Sequence, residues 1–344
     1  MKNTLRKGAA VRPLGRVLLL LTALLLILCV TELCCGRYQV SVRDTLRILL
    51  SGIIPMEHDW SDMARSAVVL IRLPRMLGAI LIGAALALSG CAYQSIFQNP
   101  LVSPDLLGVS NGACIGAALA ILGSGGAVMV QLGAFLGGMA AVGLTAAIPR
   151  LMRKKSTVTL VLSGVIVSGL CGSIMGIIKY VADPESELAE IVYWQMGSLS
   201  KLTTKSLPPM VPVIVVCIVG LLILRWRVNV LSLGDREAQA LGVNLRLERG
   251  VVVVLSTLLT ASSVCLAGTI SWVGLVMPHL ARGLVGTDNT RTLPVAALLS
   301  ACFMLVVDLC ARGLTGAELP VSILTGIIGA PFFAFILAKE ASVE

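Results

Sequence analysis

Charged residues and aromatic rings are both scarce in this sequence. Only 13% of its 344 residues are Asp, Glu, Lys or Arg, and only 4% are Phe, Trp or Tyr. The apolar fraction is 57% and the mean hydropathy is +0.94, so charged groups are too sparse to cover a water-soluble protein of this length. The composition predicts an all-α polytopic membrane protein, and at roughly 20 residues per span the length allows about eight to eleven helices.

Signatures of catalytic and metal sites are missing as well. No G-x-x-x-x-G-K-[ST] phosphate loop and no H-E-x-x-H motif occurs, so we predict no catalytic residue, no metal and no cofactor in this chain, which is not expected to be an enzyme. The histidines are His58 and His279, and His279 after Pro278 is predicted to be structural. The ten cysteines are scattered, apart from the neighbours Cys34 and Cys35, and are predicted to be small buried apolar residues.

Basic residues cluster at the ends of apolar runs. The formal net charge is +9, but this clustering predicts a protein embedded in membrane lipid and no nucleic-acid partner. Two such clusters occur, and by the positive-inside rule both are predicted to be cytoplasmic. The clusters consist of Lys2, Arg6, Lys7, Arg12 and Arg16 before the first run, and of Arg150, Arg153, Lys154 and Lys155 between two later runs.

Ten apolar runs follow one another, and we interpret the chain (1–344) as a single transmembrane domain with both termini in the cytoplasm. The second run is expected to begin near Pro74, after an outer polar segment from Gly36 to Arg75. The runs cover residues 17–35, 74–96, 106–122, 128–148, 158–180, 208–224, 250–266, a glycine-broken stretch that ends near 282, 293–312 and 319–337.

The second run ends in a polar turn, Gln98 to Leu101, where a membrane helix would be expected to continue or leave the bilayer. Irregular backbone at membrane depth survives only where protein or a water-filled cavity satisfies its polar groups. The break therefore indicates a transport path rather than a passive anchor.

The fifth run carries small residues at four-residue spacing: Gly164, Ser168, Gly172 and Gly176. This spacing places them on one helix face. Such a face allows close packing of another helix, or it lines a path with little side-chain bulk. Both interpretations remain open.

Asp308 is the clearest acid inside an apolar run, and Arg312 lies four residues later on the same helix face. An ion pair within one helix explains both residues. The alternative is a direct role in coupling or recognition, as in a secondary transporter driven by ions.

Two polar segments interrupt the second half of the chain. Residues 182–206 contain a short amphipathic surface helix, which we place outside. Residues 229–249 form a cytoplasmic segment that could fold as two short helices divided near Gly242. Its part from Leu233 to Gly242 is either a solvated loop or a docking element for a cytoplasmic motor.

Five stretches spread over about three quarters of the chain, from Arg72 to Leu337, carry a resemblance. Through these stretches and the order in which they occur, the sequence resembles the permease family of binding-protein-dependent ABC importers for iron siderophores, haem and vitamin B12. The stretches are RLPRMLGAILIGAALALSG, QNPLVSPDLLGVSNG, LGDREAQALGV, GTISWVGLVMPHLARGLVG and AELPVSILTGIIGAPFFAFIL.

The resemblance implies an ABC importer type II permease fold with ten transmembrane helices in the bacterial plasma membrane. The expected partners are a second permease subunit (a copy or a related chain), two cytoplasmic ATPase subunits that bind ATP and Mg²⁺, and an extracytoplasmic substrate-binding protein. The expected function is import of an iron-siderophore complex driven by ATP hydrolysis in the partner. Import of haem, cobalamin or cobinamide is the alternative by the same mechanism.

The resemblance also implies roles for particular residues. Large chelates are recognised by the binding protein, so the path itself can bind weakly. Coupling to the ATPase is implied for Gly234, Asp235, Arg236, Glu237, Ala238, Leu241 and Gly242, and docking of the binding protein on the outer face for Arg72 and Arg312. A cytoplasmic gate is implied at Asn99, Pro100, Leu101, Ser156 and Thr157. The path is implied to run along the fifth and tenth helices, lined by Gly164, Ser168, Gly172 and Gly176.

Overall fold

The computed structural model describes residues 12–36, 38–52, 54, 59–153, 157–315 and 317–341. Its elements are helices throughout, which confirms the predicted all-α class. The α-helices are α1 (Leu14–Cys34), α2 (Val42–Ser51), α3 (Asp62–Ser66), α4 (Leu73–Ile96), α5 (Val109–Leu122), α6 (Ala127–Leu151), α7 (Thr157–Val181), α8 (Glu187–Gln195), α9 (Val211–Ile223), α10 (Arg225–Leu231), α11 (Asp235–Ala240), α12 (Leu245–Ala267), α13 (Val273–Val285), α14 (Asn289–Gly313) and α15 (Val321–Ala341).

Each predicted apolar run coincides with one of these helices. Six helical stretches in the described residues are long and apolar enough to cross a membrane, and a seventh is obtained if α9 and α10, bent by 60°, count as one span. Helices α5, α13 and the apolar part of α15 are shorter. The predicted number of ten membrane crossings therefore stays a prediction.

Helix α4 lies at the centre of the molecule, where it packs against α12, α13 and α14. Small residues allow this position, because a Cβ built on Gly90 would lie 1.8 Å from the Gly274 carbonyl oxygen of α13. A Cβ on Gly83 would lie 2.7 Å from the Ser300 carbonyl oxygen of α14. The backbones of three helices thus approach one another at side-chain-free positions, as expected for membrane helices.

Helices α5 and α6 pack through two reciprocal glycine contacts. A Cβ on Gly116 would lie 1.9 Å from the Gly133 carbonyl oxygen, and one on Gly112 would lie 2.4 Å from that of Gly137. Such close approach increases the van der Waals contact between helices that lack a hydrophobic driving force inside lipid.

The second span begins earlier than the sequence predicted. Asp62 to Ile96 form one helical stretch of 35 residues, and Ser61 caps its first turn by accepting a hydrogen bond from the Ala64 amide at 3.1 Å. A π-helical turn, Ala67–Arg72, ends two residues before Pro74. Because proline lacks an N–H and crowds the preceding turn, a widened turn at this point lets the helix continue. The predicted start near Pro74 is therefore wrong.

Candidate coupling, gate and docking sites

The segment implied to contact the ATPase contains a short helix between two glycines, as predicted. Gly234 and Gly242 adopt positive φ angles of +116° and +77°, which L side chains rarely adopt, and α11 lies between them. Ala238 is completely buried, whereas Asp235 and its neighbours on the other face are exposed. The backbone turns sharply at both ends, so α11 presents a polar face to the outside.

The division of residues 229–249 differs in part from the prediction. The break at Gly242 exists, but it separates α11 from α12, and a further helix, α10, precedes α11. Two ion pairs link α10 and α11 to the first turns of α12: Arg227 with Glu248 at 3.2 Å, and Asp235 with Arg249. The segment is thus attached to the start of the following span.

The predicted gate turn follows α4 directly. Gln98 has a φ of +50°, and the Asn99 side-chain oxygen accepts a hydrogen bond from the Leu101 amide at 2.9 Å. The Gln98 side-chain amide donates to the Ser232 carbonyl oxygen at 3.0 Å. Ser232 lies between α10 and α11, within the stretch of residues 229–242 that we call the coupling segment. The gate turn is therefore in direct contact with the coupling segment.

The second predicted gate turn can be placed only in part. Ser156 lies outside the described residues, and Thr157 is the first residue of α7. The gate role of Asn99, Pro100, Leu101, Ser156 and Thr157 stays a prediction.

The small-residue face of α7 serves different purposes at its two ends. A Cβ on Gly164 would lie 2.1 Å from the Leu106 carbonyl oxygen, and the Ser168 hydroxyl lies beside Gly108. Gly172 and Gly176 are exposed, and a Cβ on either would meet nothing within 4 Å. One end of the face therefore packs closely, while the other end borders open space; the path-lining role of Gly164, Ser168, Gly172 and Gly176 stays a prediction.

Arg72 is buried, with 4% of its surface exposed. Its guanidinium donates to the carbonyl oxygens of Leu33 at 2.7 Å and Cys34 at 2.9 Å, and also to that of Tyr38. The cation thus satisfies carbonyl groups at the C-terminal end of α1, where positive charge is favourable. An arginine that receives a partner's acidic residue needs an accessible guanidinium, which Arg72 does not offer here; its docking role stays a prediction.

Arg75 forms the centre of a buried ionic cluster that the sequence analysis missed. Its Nε donates to both carboxylate oxygens of Asp308, at 2.7 and 2.9 Å, and its Nη1 donates to both oxygens of Glu318 at 2.9 Å. The side chains of Arg75 and Asp308 are 3% and 0% exposed. This arrangement joins α4, α14 and the segment that leads into α15.

Arg312 belongs to the same cluster. Its Nε lies 3.2 Å from Asp308 Oδ2, so the predicted ion pair within α14 is confirmed. It also pairs with Glu32 of α1, which is completely buried. Glu32 was missed, although it is the only acid within the first apolar run and such a residue usually has a partner in the membrane. The docking role of Arg312, whose side chain is 12% exposed, stays a prediction.

Residues 182–206 contain the predicted amphipathic helix. Ile191 and Trp194 of α8 are buried, and Lys201 lies 5.8 Å from the Trp194 ring centre. Burial lowers the pKa of Lys201, because it removes part of the water around the charged amine. The face of the Trp194 ring attracts the cation and offsets part of this lost hydration. Hydrogen bonds from Ser186 and the Glu185 amide lower the pKa of exposed Asp183.

Neither histidine chemistry nor metal binding emerges from the described residues. The ring of His279 packs edge-on against Phe333, with centroids 6.1 Å apart, which fits a structural position. In the part of the chain that the structure describes, no group of three or more His, Cys, Asp or Glu side chains could hold a metal ion. All ten cysteines are free thiols, most of them buried.

Comparison with known proteins identifies a family and several relatives that this chain matches. The FecCD transport family matches residues 24–339. The molybdate import system permease protein MolB of Haemophilus influenzae is 39% identical over 324 residues, which are 94% of this chain and 96% of that protein. A Helicobacter pylori protein named as a probable iron chelatin transport system permease protein is 37% identical over 320 residues, 92% of this chain and 96% of that protein.

One solved structure shares the fold over almost the whole chain. It is described as an inward-facing conformation of a metal-chelate type ABC transporter, and it matches with a TM-score of 0.83 and 38% identity, covering 94% of this chain and 99% of that one. The family match, the relatives and the shared fold agree with the resemblance seen in the sequence. This chain belongs to the FecCD transport family, as a multi-pass permease of the ABC importer type.

Proposed function

We propose that this chain is the permease subunit that carries an iron-siderophore complex across the bacterial plasma membrane, driven by ATP hydrolysis in partner subunits. The observation that carries the proposal is the near full-length similarity to a metal-chelate type transporter and to an iron chelatin permease. Ten membrane crossings with both termini in the cytoplasm complete the proposed topology.

The proposed site of energy input is the coupling segment. The exposed polar face of α11 is available to a cleft in an ATPase subunit, and the completely buried Ala238 anchors the helix to the permease. ATP and Mg²⁺ are bound by that partner. Movement of the segment switches the helices between outward-facing and inward-facing arrangements.

The proposed path runs along α7 and α15 between two permease subunits, which are copies or related chains. Gly172 and Gly176 expose backbone without side-chain bulk, so a large chelate meets few groups that could hold it. Weak binding favours release into the cytoplasm, and recognition is left to the extracytoplasmic binding protein. Arg72 and Arg312 on the outer face are proposed to dock the binding protein through charge, which requires that their guanidinium groups become accessible when it binds.

Molybdate import is a second candidate, favoured by the identity of 39% to the Haemophilus influenzae permease. The two cargoes differ greatly in size, since molybdate is a small dianion and a siderophore complex is a large chelate. The same weakly binding path could carry both, so their distinction depends on the binding protein.

Uptake into proteoliposomes tests the cargo. Vesicles containing this chain, its second permease subunit and its ATPase receive the cognate binding protein with labelled ferric siderophore, haem, cobalamin or molybdate. ATP-dependent uptake of ferric siderophore, in excess over the other three, is the expected result. Selective uptake of molybdate would replace the proposed cargo, and selective uptake of haem or cobalamin would do the same.

A further inference from the structure

Two polar contacts connect the coupling segment to the last turn of α4 and to the turn that follows it. The first is the hydrogen bond from the Gln98 side chain to the Ser232 carbonyl oxygen, 3.0 Å long. The second is a relay in which Asn229 Oδ1 of α10 accepts from the Asn289 amide at 3.0 Å, while Asn289 Oδ1 accepts from the Ser95 hydroxyl at 2.9 Å. The two contacts end three residues apart: the relay reaches Ser95 in the last turn of α4, and the first contact reaches Gln98 in the turn that follows α4.

The relay is the more buried of the two contacts, and its Ser95 hydroxyl also lies 2.7 Å from the Cys91 carbonyl oxygen of its own helix. Ser95 and Asn289 are 7% and 3% exposed, whereas Gln98 lies at the surface. A buried polar group that loses its partner is resolvated less easily than one at the surface, so such a bond resists breaking more than a surface bond does. A shift of α10 is therefore expected to move Asn289 and Ser95 with it.

A polar cavity of about 190 Å³ lies beside the same groups. Gln98 and Asn99 of the gate turn, Ser232 of the coupling segment and Asn289 all line it. Packed protein interiors usually leave little room for side chains to change position. Here the end of α4 and the gate turn have space to move when the coupling segment moves.

We propose that Ser95, Asn229 and Asn289 are positioning residues that transmit movement of the coupling segment to the gate turn. The inference rests on the proposed function, which assigns coupling to α11 and the gate to Asn99–Leu101. Asn229 lies on α10, which leads directly into α11. Displacement of this segment by an ATPase thus pulls on the α4 turn from which the gate turn begins.

Hydrogen–deuterium exchange on the assembled complex of permease, second permease subunit and ATPase tests this transmission without any cargo. Exchange is measured in peptides covering residues 97–103 (gate turn) and 229–242 (coupling segment), with and without Mg²⁺ and a non-hydrolysable ATP analogue. In the unaltered protein, nucleotide is expected to change exchange in both peptides. In Ser95→Ala and Asn289→Ala, the change persists in the coupling segment and shrinks at least about fivefold in the gate turn.

Two further variants separate transmission from general loss of structure. Ser95→Thr keeps the hydroxyl and is expected to retain the gate response. Ser263→Ala removes another buried hydroxyl, which donates within its own helix to the Leu259 carbonyl oxygen at 2.8 Å as Ser95 does to that of Cys91, and it is expected to respond like the unaltered protein. Ser95→Ala decides the matter if Asn289→Ala fails to assemble, because it deletes a single hydroxyl.

A gate response of full size in Ser95→Ala would overturn the inference, and so would a loss of the response in Ser263→Ala equal to that in Ser95→Ala. In both cases the proposed function would stand, since the coupling segment still responds. If the coupling segment of the unaltered protein ignores nucleotide, the proposed coupling role fails and the inference fails with it.

Discussion

Asp308→Asn is predicted to destabilise the protein far more than a comparable change at the surface. Asp308 is completely buried; both of its oxygens accept from the Nε of Arg75, whose side chain is 3% exposed, and its Oδ2 also lies 3.2 Å from the Nε of Arg312. Removing one partner of a buried ion pair typically costs about 3–5 kcal/mol, because the other charge stays buried without compensation. Glu318 still pairs with Arg75 in the variant, so we expect the lower end, about 3 kcal/mol.

Asp59→Asn provides the matched control. Asp59 pairs with Arg47 at the same distance of 2.7 Å, but 77% of its side chain is exposed. Exposed ion pairs contribute at most about 1 kcal/mol. Asparagine has nearly the shape of aspartate, so neither variant creates a cavity, and the comparison isolates the effect of burial.

The assay is reversible unfolding of the purified permease in mixed micelles with increasing SDS, followed by helical circular dichroism. The double variant Arg75→Met/Asp308→Asn removes the cation that has lost one of its two carboxylate partners, while Glu318, 35% exposed, is left in contact with water; this variant is expected to recover part of the loss. Equal unfolding free energies for Asp308→Asn and Asp59→Asn would refute the view that the buried cluster holds α4 and α14 together.

Three further changes test packing, coupling and the path. Gly116→Leu should lower the free energy of unfolding by about 3 kcal/mol or more in the same assay, because even a Cβ would meet the facing backbone of α6. Gly143→Leu is the control and should be nearly neutral, because Gly143 faces open space. Ala238→Trp should displace α11 and lower recovery of the ATPase in affinity purification; unchanged recovery would contradict the coupling assignment. Gly172→Trp should leave folding intact and reduce uptake, whereas Gly164→Trp should impair folding itself; normal uptake by Gly172→Trp would exclude path lining there.

Much of the helical framework could be predicted from the sequence because each span is a local property of a long apolar run. The second span shows where this fails. Polar residues such as Asp62 and Arg65 concealed the first turns of its helix, and Pro74 resembled a helix start although a π-helical turn accommodates it inside the helix. Periodicity of apolar residues does not detect such a turn.

The buried ionic cluster shows a different limit. The pair of Asp308 and Arg312 could be predicted because four residues on one helix face suffice to bring them together. The partners of Arg75 lie 233 and 243 residues away in the chain, and Glu32 lies 280 residues from Arg312. Only the packing of α1, α4 and α14 brings these groups together, so no sequence spacing indicates them.

The coupling segment and the gate turn lie between these extremes. Glycines at Gly234 and Gly242 predicted a bracketed helix, and the positive φ angles explain why glycine occupies both positions. Contact between Gln98 and Ser232 depends on how α4 and α10 meet, and the sequence contains no signal for it.

The most direct test of the central claim is uptake of labelled ferric siderophore by proteoliposomes whose ATPase carries either its intact nucleotide site or one disabled by a substitution in the phosphate loop. The account predicts ATP-dependent uptake with the intact ATPase and none with the disabled one, whatever ion gradient is imposed. Uptake that persists with the disabled ATPase and follows a proton or sodium gradient would contradict it.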